Sequence, residues 1–361
     1  MPSTHAGPEG KRPTLADVAA RAGVSTALVS IVMRGAKGAS DRTREHVLRA
    51  AKEIGYRPDT RARLLRSSRS RLLGVQFGLQ QPFHADLVEG VYAAAEPAGY
   101  QIALSAVAPT RGERHAVETL LADRCEALIL LGPQAPAAQL AEVAAQLPLV
   151  SVARRLRRTA GIDVVRTADD DGARQAVGHL VALGHRDIVH IDGGKAPGAA
   201  DRRRGYRTAM SRHGLSGYAR IQAGGLTEED GAAAARALLG GGPLPTAVLA
   251  FNDRCATGVL DAFLRAGVPV PGEVSVVGFD NSHLARLAHI DLTTVGQDIP
   301  RLASLAVGRA IARLDGEPAA EREIVIAPHL VVRGTTAAPR PVRDPYAARD
   351  QAAGPATPPA R

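Results

Sequence analysis

The chain is 361 residues long, with 45% apolar and 22% charged residues, enough apolar material for two or three packed domains and too little charge for wholesale disorder. No run approaches the ~18 consecutive apolar residues of a spanning helix, and two cysteines, Cys125 and Cys255, make neither a disulfide framework nor a structural zinc centre. The net charge of +9 is concentrated: residues 1–71 hold 15 Lys/Arg against 6 acids, and the remainder balances at 30 against 30, as expected of a small module that meets a polyanion joined to a larger neutral body.

Residues 1–12 are expected to be disordered, and MPSTHAGPEGKRPT lacks an apolar secretory core, so a cytoplasmic location is expected. From Thr14 a helix is predicted with Leu15, Val18, Ala19 and Ala22 on one face and Thr14 as its cap. Gly23 breaks it, and Ser25 caps a second helix. There Leu28, Val29 and Val32 are expected to face inward, leaving Thr26, Ala27, Ser30 and Ile31 outside. A third helix in SDRTREHVLRAAKEIGY carries the stripe Val47, Leu48, Ala51 and Ile54, with Gly55 as its stop. Two short helices on a glycine turn, buttressed by a third, read as a helix-turn-helix whose second helix enters the major groove. The basic segment DTRARLLRSSR then leads to the body.

From Leu72 short apolar runs alternate with amphipathic stretches: LLGVQF, QIALSAV, EALILLG and PLVSVA, then DIVHIDG, RIQAG, TAVLAFND, VSVVGFD and TTVGQD. Runs at this spacing read as βαβ units of parallel sheets. Their number exceeds one compact sheet and the pattern restarts near Asp163, so two doubly wound lobes are predicted, with a ligand between them at the carboxyl ends of the strands. The last 25 residues, rich in proline and alanine and without heptads, are expected to be disordered.

The text TLADVAARAGVS, LVS, SDRTREHV, IGYRPD and ARLLR leading into LLGV resembles the DNA-binding head of the lactose/galactose-repressor family of bacterial transcription factors. Residues 72–336, with the closing IVIAPHLVVRGTT, resemble that family's effector domain, which shares its fold with periplasmic sugar-binding proteins. The resemblance implies an α/β chain: a helix-turn-helix head at 13–58, a hinge helix at 59–71, and a two-lobed effector domain at 72–336. Lobe 1 would hold about 72–162 plus 294–336, lobe 2 about 163–293, with a tail at 337–361.

For the head, the resemblance implies DNA contacts through Thr14, Ser25, Thr26, Ala27, Ser30, Ile31, Arg34 and Tyr56. Thr26 and Ala27 would meet base edges and Ser30 a phosphate. Ile31 stands where the family commonly has an arginine, and Arg34 where it has asparagine. An isoleucine only packs or touches a thymine methyl, so an unusual operator is expected. In the hinge, Leu65 would wedge into the minor groove, Ala62 would let two hinges approach, and Arg61 would line phosphates.

For the cleft, the resemblance implies Asp171, Arg202, Asn252 and Asp280, with Phe83, His84, Leu226 and Ile299 less firmly matched. Carboxylates, an amide and an arginine suit a polyhydroxylated ligand; with 3% aromatics and no tryptophan, ring stacking would be sparse. The expected partners are palindromic double-stranded operator DNA, a small effector of sugar type, and a second copy in a homodimer, with no cofactor, metal or membrane.

An enzyme is not expected. Gly193-Gly194-Lys195 precedes Ala196 and leaves a phosphate loop incomplete, and no nucleophile is assembled with a base. A ligand-responsive repressor is the reading taken; a sugar-binding protein with little DNA specificity, or a cleft enzyme, are the alternatives.

Overall fold

The computed structural model describes residues 13–33, 35–56, 69–156, 161–318 and 321–340. The chain divides into two compact units, residues 1–70 and 71–361.

In the first unit, α1 (Leu15–Ala22) opens with a reciprocal cap: Asp17 N–H reaches Thr14 Oγ1 at 3.4 Å while the Asp17 carboxylate accepts Thr14 N–H at 2.7 Å. Gly23, at φ 63°, ends it in the left-handed region that glycine adopts without strain. Ser25 Oγ accepts Leu28 N–H at 3.2 Å and starts α2 (Thr26–Met33), whose axis turns 107° from that of α1, within the usual helix-turn-helix range. The third helix, α3 (Asp41–Glu53), is capped by Ser40. Val18, Ala19, Ala22, Val29, Val32, Val47, Ala50 and Ala51 form the core. Two expected positions differ. Leu48 is 48% exposed and Ala50 takes its inward place, because at about 100° per residue position 50 falls in line with 47, 51 and 54. Leu28 is half-buried and is not among the core side chains.

The second unit carries two six-stranded sheets. Lobe 1 runs β1 (Leu72–Gly78), α4 (Pro82–Ala95), β2 (Gln101–Val107), α5 (Glu113–Ala122), β3 (Ala127–Leu131), α6 (Ala137–Ala144), β4 (Leu149–Val152) and β5 (Ile162–Thr167). Lobe 2 follows with α7 (Asp169–Ala182), β6 (Ile188–Asp192), α8 (Ala199–Arg212), β7 (Arg220–Ala223), α9 (Glu228–Gly240), β8 (Ala247–Leu249), α10 (Asp253–Arg265), β9 (Ser275–Asp280) and β10 (Thr293–Gly296). The chain then returns through α11 (Ile299–Leu314) and β11 (Glu323–Ile326) before β12 (His329–Val331). The sheet orders are β11-β5-β4-β3-β1-β2, wholly parallel, and β12-β10-β9-β8-β6-β7, parallel except for β12 against β10. Apolar runs buried on both faces, such as Ala127–Leu131, are what a parallel sheet covered by helices requires.

The lobe boundaries are corrected in three places. The run after Asp163 is β5 of the first sheet, not the start of lobe 2, which begins at α7. The TTVG run is β10 of lobe 2, so the return to lobe 1 comes after Gly296. Strand β12 pairs with β10 in lobe 2, not in lobe 1. Each run is equally apolar, so hydropathy alone does not assign it to a sheet; partner strands do. The chain thus crosses between lobes three times, near 168, 297 and 327. The expected disordered tail also starts too early, since Ala337 O accepts Ser275 Oγ–H at 3.1 Å and pairs with His185 Nε2 at 2.8 Å; residues 341–361 lie outside the described residues.

Helices α7 and α8 pack closely because Gly205 has no side chain. A Cβ there would lie 2.1 Å from Asp170 O, whereas a Cβ at Gly178, mid-α7, meets nothing within 4 Å. Gly205→Ala is therefore expected to destabilise the body by about 1–3 kcal/mol or more, and Gly178→Ala to stabilise it by about 0.5–1 kcal/mol, both read as shifts of the urea midpoint. Equal effects of the two would contradict this packing.

Candidate functional site

Two surfaces carry the expected site residues. On α2, Thr26 and Ala27 are exposed, and Ser30 and Ile31 are half-buried. The Ile31 side chain rests against Gly38, where a Cβ would sit 3.6 Å from Ile31 Cγ2. Isoleucine therefore covers the loop after α2, a use of the position that an arginine's long polar chain would not share. Thr14 and Ser25 act as helix caps. Tyr56 packs on the head core and donates its N–H to Ala51 O at 2.9 Å. Arg34, Arg61, Ala62 and Leu65 lie outside the described residues.

In the body the organising group is Arg202, in the first turn of α8 and 7% exposed. Its Nε donates to Asp169 Oδ1 at 2.8 Å, Nη1 to Phe251 O at 2.7 Å, and Nη2 reaches Asp280 Oδ1 at 3.5 Å. The guanidinium lies between two rings, 3.6 Å from the Phe279 centroid and 4.7 Å from that of Phe251. Asp280 ends β9 at φ 117° and also accepts Gln297 Nε2–H at 2.8 Å. Gln297 Oε1 in turn accepts Thr167 Oγ1–H at 2.6 Å. Thr167 and Gln297 belong to two of the three crossings, so the cluster is tied to the segments that join the lobes. It lies at the carboxyl ends of the strands, where doubly wound sheets hold ligands.

Of the eight expected cleft residues, Arg202 and Asp280 come together; the others are placed as follows. Asp171 accepts from Arg174 Nη2 at 2.9 Å and from Gln175 Nε2 at 3.0 Å, within α7. The carboxylate on Arg202 is Asp169, two positions and about 200° of helix away; in Asp169-Asp170-Asp171, spacing alone does not say which faces the sheet. Asn252 caps α10, accepting Cys255 N–H at 2.8 Å, and its Nδ2 donates to Leu226 O at 3.2 Å. It therefore holds the loop at Leu226, which is half-buried. Phe83 is buried in the lobe 1 core. Ile299 also packs on that core, beside Gly90. His84 Nδ1 accepts Gly78 N–H at 2.9 Å, which leaves the proton on Nε2. Burial pushes its pKa down to about 4, so it is a neutral donor near Gly132 and Pro197. Gln297 was missed by sequence reasoning; its only signal was its place before the helix cap Asp298.

The carboxyls outnumber the guanidinium. Burial pushes the Asp169 and Asp280 carboxyls up, Arg202 opposes it, and neighbouring carboxylates add to the rise. Asp253, buried alongside, is raised by burial against bonds from Thr294 Oγ1 at 2.6 Å and Ser282 N at 2.7 Å. A cavity of about 320 Å³ adjoins the cluster at Gly198, lined from both lobes. Among the described residues no group of three or more His, Cys, Asp or Glu forms a metal site.

The raised Asp280 carboxyl gives a pH signature. The folded chain keeps a proton there that the unfolded chain has released, so this contribution to stability is full at acid pH and is lost as pH rises from the ordinary carboxylate range toward neutrality. The lowered His84 and His190, each to about 4, work in the opposite sense: their contribution is full above 6.5 and lost as pH falls. Asp280→Asn removes the first effect and keeps the second. In ligand-free urea titrations the variant is expected to gain stability relative to its parent as pH rises; a constant offset would mean that Asp280 ionises as an ordinary carboxylate.

Comparison with known proteins gives two family matches: residues 14–59 match the bacterial regulatory proteins of the lacI family, and residues 177–336 match a periplasmic binding protein-like domain. The transcriptional regulator GalR of Escherichia coli K12 is 32% identical over 330 residues, covering 90% of this chain and 96% of GalR. A crystal structure of a LacI transcriptional regulator from a Rhodococcus species is 52% identical, with a TM-score of 0.72 over 74% of this chain and 98% of that one. The lac repressor dimer bound to operator and the anti-inducer ONPF is 30% identical, with a TM-score of 0.77 over 91% of this chain and 100% of that one.

Proposed function

Since the chain belongs to the lacI family of bacterial regulatory proteins and is a DNA-binding transcription regulator, we propose that it acts in the cytoplasm as a homodimeric repressor. Its hold on a palindromic operator is set by a small polyhydroxylated ligand, a sugar or sugar derivative, bound between the lobes. The observation that carries this reading is the buried cluster of Arg202, Asp169, Asp280 and Gln297. It offers a forked donor, carboxylate acceptors and an amide, the set that vicinal hydroxyls require. Relatives with this architecture include a CelR regulator solved as a cellobiose complex and the lac repressor on its operator with ONPF. The named relatives are regulators, and the chain is read as a binding protein, not an enzyme.

The mechanism is a population shift. Gln297 bonds both Asp280 and Thr167, so a ligand hydroxyl that exchanges into this network acts directly on two of the lobe crossings. Closure on the ligand changes the relative angle of the lobes and thereby the spacing of the two hinges in the dimer. The effect is no larger than the ligand's differential affinity for the two arrangements. On the DNA, Thr26 and Ala27 meet base edges and Ser30 a phosphate, supported by Thr14, Ser25 and Tyr56. Arg34 and Arg61 contribute positive charge. Ala62 lets the two hinges meet, and Leu65 wedges the central step. With Ile31 turned to its own loop, direct readout rests on few residues, and phosphate contacts carry much of the affinity.

Selection of random duplexes by the purified protein, with and without a panel of sugars, tests the reading: an enriched palindrome whose recovery changes with a sugar is expected. No enrichment at any salt concentration would refute it. Leu65→Ala is expected to weaken operator binding by about tenfold or more while the ligand-induced rise in melting temperature persists. Unchanged operator affinity in that variant would remove the hinge assignment.

A further inference from the structure

The cavity of about 320 Å³ between the lobes is basic. Arg154, Arg155, Lys195 and Arg204 line it against one acid, Asp201. Two of the cations are already matched: Arg204 bonds Asp201 and lies 3.4 Å from Asp170, while Arg155 stands 3.8 Å from Asp201 and 3.9 Å from Glu323. The other two are not. Arg154, on the loop after β4, is held by carbonyls alone, its Nη1 donating to Pro133 O at 2.8 Å and Ala135 O at 2.6 Å. Lys195, exposed on the glycine loop between β6 and α8, lines the cavity from lobe 2. Among the described residues neither has a carboxylate within ion-pair distance. Burial pulls the Arg154 pKa down, only partly opposed by the charge of Glu113. Gly198 lines the same cavity and abuts Asp169 and Arg202, with a Cβ there falling 2.9 Å from Asp169 Oδ1 and 3.4 Å from Arg202 Nε. The basic cavity and the Arg202 cluster therefore meet at Gly198.

A neutral sugar has no use for two cations that lack an ion-paired carboxylate, one from each lobe. We propose that the effector is a phosphorylated sugar, its phosphate held between Arg154 and Lys195 while its hydroxyls reach Arg202 and Asp280. This rests on the effector reading of the cleft and deepens it. Gly193-Gly194-Lys195, an incomplete phosphate loop by sequence, has a different use here: it brings an ammonium of lobe 2 to the cavity that a lobe 1 guanidinium also lines, and charge-assisted bonds to both would draw the lobes together across a dianion. The volume is within the range of small-ligand pockets.

The test uses the full chain, with melting temperature and calorimetry as readouts. The probes are glucose and galactose, their 6-phosphates, gluconate, and inorganic phosphate. Inorganic phosphate is expected to bind saturably, and a sugar phosphate at least tenfold tighter than its parent sugar. Lys195→Ala, at an exposed position whose loss leaves the fold intact, is expected to weaken the phosphorylated ligand about tenfold and leave any parent-sugar affinity in place; Lys195→Glu is expected to abolish phosphate binding. A neutral sugar binding as tightly as its phosphate would overturn the inference and leave the effector reading standing. Preference for gluconate over every phosphate would overturn the phosphoryl assignment. Failure of every phosphate-bearing probe, inorganic phosphate included, to bind saturably would overturn it outright, with operator selection still judging the regulator reading independently.

Discussion

The guanidinium of Arg202 is the charge around which the strand-end face of lobe 2, the proposed ligand site, is assembled. A buried cation is tolerable only when its donors are met and its charge is answered. Here Asp169, Phe251 O and Asp280 meet the donors from three different elements, and two phenyl rings cover the faces. Removing the guanidinium would leave the Asp169 and Asp280 carboxyls buried without the cation that opposes the rise of their pKa, a destabilising change. The same bonds that hold α7, α8 and β9 together therefore hold the binding groups at fixed distances. Pre-set polar groups spare a ligand the ordering that it would otherwise impose.

The head solves a different problem with less material. Its core is eight small or medium apolar side chains, too few for large stability by burial alone. Caps and tethers supply the rest: the reciprocal Thr14–Asp17 cap, Ser25 and Ser40, and the Arg44 guanidinium, which donates to Val32 O at 3.4 Å and Ala36 O at 2.9 Å. Rigid geometry over α2 is what places Thr26 and Ala27 on one exposed edge.

Much of this was legible in the sequence. The head was readable because caps, glycine stops and helical period are local signals, and each falls within a few residues of what it controls. The two-lobed body was readable from the spacing of apolar runs. What escaped was whatever depends on partners distant in sequence. Strands β5, β10 and β12 have no residue that names their sheet; they are assigned by pairing across more than 30 residues in the cases of β10 with β12 and β11 with β5. Asp171 stood in for Asp169 for a related reason. Three consecutive aspartates present carboxylates all around the helix start, and the one that matters is chosen by an arginine 33 residues later. Phe83 was ambiguous because an aromatic after a strand suits a binding face and a core equally, and its burial in the lobe 1 core comes from packing. Gln297 gave no motif at all, since its role comes from lying between two lobes.

The return of the chain to lobe 1 also sets an order of events during synthesis. The apolar face of α4 and the first sheet is covered by Leu302, Ala303, Ala306, Val307 and Ala310 of α11, and β11 completes that sheet later still. On a ribosome the head has all of its core once Ala51 has emerged, whereas lobe 1 cannot close until five-sixths of the chain exists. The strand that completes the sheet of lobe 2 is made last of all. A growing chain thus presents a finished head tethered to an open, apolar body, a state that chaperones shield. Neither lobe can be released from that dependence by truncation: a chain stopped before α11 keeps every strand of β1 to β5 and loses the helix that makes them a core.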